Sequence, residues 1–264
     1  MLQTPPDWVL RLRAASDQPP DRQRVPFSWG GIELGNAEPV VLQQIERAFT
    51  YQRLSVLRHE STGWRIDGDL TASLAHIARM MRDLNIAHVW RNEQLPVIDA
   101  NEHVLGSIER AAVRPLGLRT RAVHLVGQTS DGQFWVQQRA LNKANDPGLW
   151  DTLMGGMVTA ADTQESALER ETWEEAGLRV DELFSLAHGG VVHIHRPTND
   201  GVGGYISERI DWYRAIVPGD RTPSNQDGEV ERFAKVPRES LMAGVAAGKF
   251  TMEAGLVIAA ALGY

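Results

Sequence analysis

Three glutamates fall within the nine residues "RETWEEAGL" (170–178), and the pattern raises a chemical question. Glu171 is three residues from Glu174 and four from Glu175, so on a helix the three carboxylates can share one side. A helix C-terminus carries partial negative charge, and each acid placed there costs roughly 0.3–1 kcal/mol. A hard cation such as Mg²⁺ or Mn²⁺ removes that cost, keeps part of its water and accepts substrate phosphate oxygens as further ligands. Arg170 stands beside the first acid and can hold a carboxylate by a charge-assisted hydrogen bond. The bland alternative is a solvated helix face with surplus acids. The segment upstream, "MGGMV", tips the balance, because Gly155 and Gly156 leave carbonyls and amides bare where a metal or a phosphate can reach them.

The elements needed to position these residues are legible around them. A helix is predicted over about 163–176, with Asp162 or Thr163 at its start, Asp162 and Glu165 spaced as a capping box, and Gly177 as the left-handed residue that ends it. "RAVHLVGQ" and "QFWVQQR" read as strands joined by a tight turn at Asp131–Gly132, and a glycine-rich loop, "DPGLWDTLMGGMV", precedes the helix. "SLAHGGVVHIHR", "SERIDWYRAIV" and "VERFAKV" follow as strands, and "TMEAGLVIAAALG" as a last helix. The second half thus alternates strand, helix and strand, the pattern of an α/β or α+β sandwich. Before residue 120 the chain reads as mixed α and β. It opens with a helix over 6–15, continues with strand pieces around Gly30–Gly31 and a helix in "EPVVLQQIERAF", and adds one in "DLTASLAHIARMMRDLN" with an apolar stripe. Met80, Met81 and His76 in that stripe are read as core or surface filler.

Composition sets outer limits. With 264 residues the chain has room for one large or two ordinary domains, and 42% hydrophobic with 23% charged residues is a globular balance. A net charge of −7 speaks against a protein that grips a nucleic-acid backbone. There is no cysteine, which removes disulfides, thiolate metal sites and cysteine nucleophiles, and fits a reducing cytoplasm. The first twenty residues lack the apolar centre of a signal peptide, and no apolar run is long enough for a membrane span. The expectation is a soluble cytoplasmic protein with neither nucleic acid nor membrane as partner.

The acidic segment resembles the Nudix box: a glycine, five residues, a glutamate, seven residues, then Arg-Glu-aliphatic-x-Glu-Glu-x-Gly-aliphatic. Here Gly156 is followed at that spacing by Asp162 and by Arg170 to Leu178, with two departures: Asp162 for glutamate and Thr172 for an aliphatic residue. The resemblance implies an α/β/α sandwich with a mixed sheet that hydrolyses an organic diphosphate with Mg²⁺ or Mn²⁺. It implies metal binding by Glu171, Glu174 and Glu175, with Glu171 as ligand or base, Arg170 orienting it, and Gly155 or Gly156 offering a backbone carbonyl.

Outside the box, "QQRALNKANDPGLWDTLMGGMV" resembles a segment shared by isopentenyl-diphosphate isomerases and by Nudix proteins related to fungal thiamine pyrophosphokinase fusions. By that resemblance Arg139 and Lys143 lie near the substrate diphosphate. The isomerase branch relies on a cysteine that this chain lacks. "DGEVERFAKVPRESLMAGVAAGKFTMEAGLVIAAALGY" and the N-terminal half resemble the thiamine-related branch. This implies a smaller α+β domain over 1–119, a Nudix domain over 120–264, and thiamine diphosphate or its oxidised, damaged forms as small-molecule substrate. Two alternatives stand beside it: a pyrophosphohydrolase of nucleoside diphosphate derivatives, and a Nudix-like sensor without catalysis. Glu229 is a possible additional acid, with Glu231 on the same strand face, and Glu208 is a weaker candidate. His193 and His195 read as surface residues, and Trp29, Trp90 and Trp150 as core more than as stacking platforms. The oligomeric state stays open, a homodimer included.

Overall fold

The computed structural model describes residues 4–61, 63–198 and 203–264. Strands β1 (Val25–Trp29) and β2 (Ile32–Ala37) form a hairpin whose turn uses positive φ at Gly30 and Gly31, 56° and 82°. With β3 (Leu57–Glu60) and β4 (Gly63–Ile66) they make a four-stranded sheet in the order β2-β1-β4-β3. Helices α2 (Pro39–Tyr51) and α3 (Leu70–Asp83) turn their apolar stripes to the core this sheet belongs to. That core runs from Phe27 to Leu118 and includes Leu42, Ile45, Phe49, Leu74, Ile77 and Met81. Met80 and Met81 are buried and His76 is not, as the stripe demands. A second hairpin, β5 (Gln94–Ile98) and β6 (Val104–Glu109), closes this part of the chain.

The larger sheet has seven strands. Its main path is β11 (Phe184–Pro197), β12 (Tyr205–Ile216), β7 (Arg119–Gln128), β8 (Phe134–Arg139) and β13 (Val230–Val236). Two short strands attach beside it: β10 (Met154–Met157) to β7 and β9 (Trp150–Asp151) to β8. The sheet is mixed, since β12 runs parallel to β7 while the other pairs are antiparallel.

Strand alternation decides what each face buries. On β7, Val123 and Leu125 face a core with Ala167 and Leu168 of α4 (Gln164–Ala176). Ala122 and Val126 face the opposite core, built with α5 (Arg238–Ala246) and α6 (Met252–Ala261). Helix α6 is apolar all round because it lies between sheet and helices, and Ala254 to Ala259 are all buried. The result is an α/β/α sandwich. Helix α1 (Asp7–Ser16) also packs on this second face, with Trp8, Val9 and Leu12 set against α6 and β11. The first helix therefore sits with the larger sheet although the chain then leaves for the smaller one.

Candidate active site

Helix α4 begins where the sequence places it, with Thr163, one of the two expected caps, but not with the expected capping box. Thr163 is the N-cap, its hydroxyl accepting from the Ser166 amide at 3.2 Å while Ser166 Oγ accepts from the Thr163 amide at 2.8 Å. The Asp162–Glu165 capping box is thus corrected to Thr163–Ser166. Asp162 instead anchors an arginine, accepting from Arg170 at 2.7 Å and from the Thr159 amide at 3.1 Å. The helix ends at Gly177 with φ 62°, the left-handed residue expected there.

Two acids lie on the buried side of α4. Ala167, Glu171 and Glu175 follow one another at four-residue spacing, and Glu175 is 2% exposed. A buried acid at this spacing must meet something polar, and β10 supplies it. Glu175 Oε2 accepts from the Gly155 amide at 3.0 Å and from Gln137 Nε2 at 2.7 Å. Gly155 and Gly156 were expected in a loop and instead lie in β10, opposite His124 and Val123 of β7. The reason is steric: a Cβ at Gly156 would overlap the Glu171 carboxylate, and one at Gly155 would overlap the His124 ring. Only glycine lets a helix acid and a histidine approach the strand from opposite faces.

Arg170 ties the acids together. Its guanidinium donates to Glu171 at 2.9 Å, to Glu174 at 3.0 Å, to Asp162, and to the Met157 carbonyl at 3.1 Å. Glu174 itself stands at the rim, its side chain 42% exposed. Burial pushes the Glu171 carboxyl up to about 7 against the pull of Arg170, with Glu174 and Glu229 adding to the rise. Burial, then the charge of Glu171, pushes Glu175 up to about 8.

These groups suit a hard dication. Glu171 and Glu175 both offer oxygen ligands, burial works against the charged form of each, and Gln137 Oε1 is buried without a hydrogen-bond partner. Among the described residues, no three acids or histidines close on one point to make a full metal shell. Mg²⁺ does not require that, since one or two carboxylates with water and phosphate oxygens suffice.

The other sequence candidates are engaged with partners of their own. Lys143 forms an ion pair with Glu229, and Arg139 bonds the Asn145 carbonyl and lies 3.7 Å from buried Asp151. Burial works against the charged form of Glu229, but Lys143 outweighs it and holds the carboxyl below its ordinary value. Glu229 and Glu231 do not share a strand face by simple alternation: β13 starts at Val230 and carries an irregularity between Val230 and Arg232. His193 and His195 stack on each other with centroids 6.1 Å apart. Trp90 lies against Arg82 and Trp150 against Arg232, while Trp29 donates to the Gly68 carbonyl.

Two buried groups escape a reading of the sequence alone. Gln137 holds Glu175, and His124 lies 3.0 Å from Thr152 Oγ1 and 3.5 Å from Asp151 in a network closed by Thr251. Their one signal is a polar residue inside each apolar strand, "RAVHLVG" and "FWVQQ".

The fold is an α/β/α sandwich in which an Arg-anchored acidic helix lies over a paired-glycine strand. A family model, the NUDIX domain, matches residues 118–255, and the chain belongs to that family. Nudix hydrolase 20, chloroplastic, of Arabidopsis thaliana is 33% identical over 238 residues, covering 79% of this chain and 62% of that protein. Nudix hydrolase 24, chloroplastic, of the same plant is 31% identical over 174 residues, covering 63% and 46%. The chain thus spans about half to three-fifths of these relatives' lengths. A crystal structure of a Deinococcus radiodurans protein aligns with TM-score 0.49 and 26% identity over 60% of this chain and 92% of that one.

Proposed function

We propose that the protein is a metal-dependent diphosphatase that splits an organic diphosphate into a monophosphate and phosphate, with thiamine diphosphate or its oxidised forms as substrate. The observation that carries this reading is the pair of inward-facing acids, Glu171 and Glu175, aimed at Gly155–Gly156, with Arg170 fixing the first. Support for the thiamine side comes from the likeness of both chain halves to that branch. Support for hydrolysis comes from family membership and from relatives bearing the name Nudix hydrolase.

In this reading Glu171 and Glu175 hold Mg²⁺ or Mn²⁺, with Glu174 joining from the rim. A dication held there would supply charge neutralisation for the diphosphate and a more acidic water. The chain's own residues do the positioning. Arg170 fixes Glu171 against Asp162 and the Met157 carbonyl, so the carboxylate does not swing when charge builds up beside it. The Gly155 amide and Gln137 hold Glu175. Arg139 and Lys143 face the diphosphate, and Lys143 exchanges its partner Glu229 for phosphate. Glu229 is then free to accept a proton from the attacking water. The division near residue 119 belongs to the proposal, with the smaller unit serving the substrate side. No helix among the described residues is long and apolar enough to cross a membrane. The plant relatives are chloroplastic by name, so the cytoplasmic placement rests on the sequence of this chain alone.

Phosphate release from a panel of diphosphates, with and without Mg²⁺, tests the reading. Glu174→Gln combined with Glu175→Gln should abolish metal-stimulated turnover while far-UV circular dichroism stays unchanged. Wild-type turnover in that double variant refutes the site. A strong preference for nucleotide sugars removes thiamine diphosphate as substrate, and no metal-stimulated hydrolysis across the panel removes the activity.

A further inference from the structure

A cavity of ≈ 260 Å³ lies between the smaller unit and the larger sheet. Ile86, Leu95, Val113, Leu118, Met157 and Ile206 give it apolar walls. Into this lining come Arg91, Arg110 and Arg114 and one buried acid, Glu208. Glu208 is 9% exposed and accepts a hydrogen bond from the Thr120 hydroxyl at 2.9 Å. A carboxylate offers about four acceptor positions, and a single neutral donor leaves most of that capacity unspent. Burial and the charge of Glu253 oppose its ionised form, more than Arg114, Thr120 and Arg110 favour it.

The cavity adjoins the acidic helix site. Met157 follows Gly156 directly, and Asn145, also on the lining, lies in the loop that carries Lys143. Arg110, on the cavity lining and paired with Glu93 at 2.7 Å, is within electrostatic reach of both Glu229 and Glu208. The strand register gives the span. Glu208 lies opposite Thr120 on one side of β7, and Gly156 opposite Val123 on the other. Two strand spacings of ~4.8 Å and three residue rises of ~3.3 Å put their backbones roughly 14 Å apart in the sheet, and because Thr120 alternates onto the face of Ala122 while Gly156 meets the α4 side, the path between them passes the sheet edge at Met157. A diphosphate seated at Gly156 needs an extended organic group to reach Glu208, longer than a short alkyl chain.

We propose that this cavity holds the organic group of the diphosphate and that Glu208 selects groups carrying a nitrogen donor, either an amino substituent or a protonated ring nitrogen, on a flat ring. This rests on the diphosphatase reading above. The apolar walls take the ring faces, and the donor meets the unspent acceptor capacity of Glu208. A donor-free chain of equal size fills the same walls but leaves Glu208 with Thr120 as its one hydrogen-bond partner, and a site built around a hydrogen bond discriminates against ligands that lack it.

The test compares wild type with Glu208→Gln on two substrates in Mg²⁺: thiamine diphosphate, which carries an amino-substituted ring and a cationic ring, and geranyl diphosphate, which has no donor. Glu208→Gln should lower kcat/KM for thiamine diphosphate by about 10- to 100-fold, chiefly through KM, and leave geranyl diphosphate within about twofold. Equal losses on both substrates, or no change in selectivity, overturn the assignment. Calorimetric titration with thiamine and with adenosine, without metal or phosphate, separates this inference from the activity. Binding of either probe that Glu208→Gln weakens tenfold or more upholds the pocket even if wild type hydrolyses nothing. Absence of binding by both, or equal binding to the variant, overturns it. Should Glu208→Gln fail to fold, Ala111→Phe at a half-buried position of the lining serves instead: it should block both probes, and unimpaired binding sinks the proposal.

Discussion

Thr172 stands on α4 where the Nudix pattern has an aliphatic residue, fully buried at 0% exposure, and its Oγ1 has no hydrogen-bond partner. It follows Leu168 and precedes Ala176 at four-residue spacing, on the stripe that packs against the sheet. A hydroxyl buried without a partner costs about 1–3 kcal/mol in proteins. Valine keeps the β-branched shape, nearly matches threonine in helix propensity and removes the unpaired oxygen. Thr172→Val should therefore stabilise the fold by about 1–2 kcal/mol, allowing for imperfect refilling of the space. Each kcal/mol raises Tm by about 2–4 °C in a domain of this size. Urea unfolding followed by tryptophan fluorescence should show a higher midpoint at unchanged slope, and phosphate release should stay within about twofold. An unchanged or lower midpoint would mean that the hydroxyl is satisfied, by water or by the carbonyl one turn back, and would refute the reasoning.

Two further substitutions probe the site and its support. Gly156→Ala places a methyl against the Glu171 carboxylate, so the acid must shift by an ångström or so. Turnover should fall on the order of 100-fold with the fold retained, and near-normal kinetics would show that Glu171 has no fixed role. Asp211, 3% exposed, accepts from Arg209 at 2.8 Å and lies 3.0 Å from His188. Burial opposes its charge, but Arg209 and His188 outweigh burial and hold the carboxyl below its ordinary 3.8. A depressed carboxylate contributes stability above the unfolded pKa, and that contribution is lost as pH falls through the folded pKa. Asp211→Asn should accordingly cost about 1–3 kcal/mol at pH 7 and progressively less below pH 3.8. A penalty in urea unfolding that does not shrink in acid would disprove the linkage.

Much of the fold was legible because its signals are local. Helix α4 carries its own stop at Gly177, the hairpin of β7 and β8 its own turn at Asp131–Gly132, and α3 its own apolar stripe. The acid triplet was visible for the same reason, since helical spacing alone puts Glu171, Glu174 and Glu175 together. Local pattern failed where a neighbour distant in sequence made the decision. Asp162 and Thr163 were equal contenders for the cap until Arg170, a full two turns along, claimed Asp162. Gly155 and Gly156 looked like a loop until β7 paired with them and the acids of α4 and the ring of His124 closed in from both faces.

The sequence by itself determined the family of this chain and the kind of chemistry its helix can hold, because carboxylate spacing is a property of one element. The tertiary structure alone decided that Glu175 is buried, Glu171 nearly so and Glu174 at the rim, and that Gln137 and the Gly155 amide hold the deepest acid. It also decided that Glu208 belongs to a cavity walled by residues from as early in the chain as Ile86 and Leu95. Burial and long-range pairing arise from how elements pack, and no single stretch of residues encodes its partner's position.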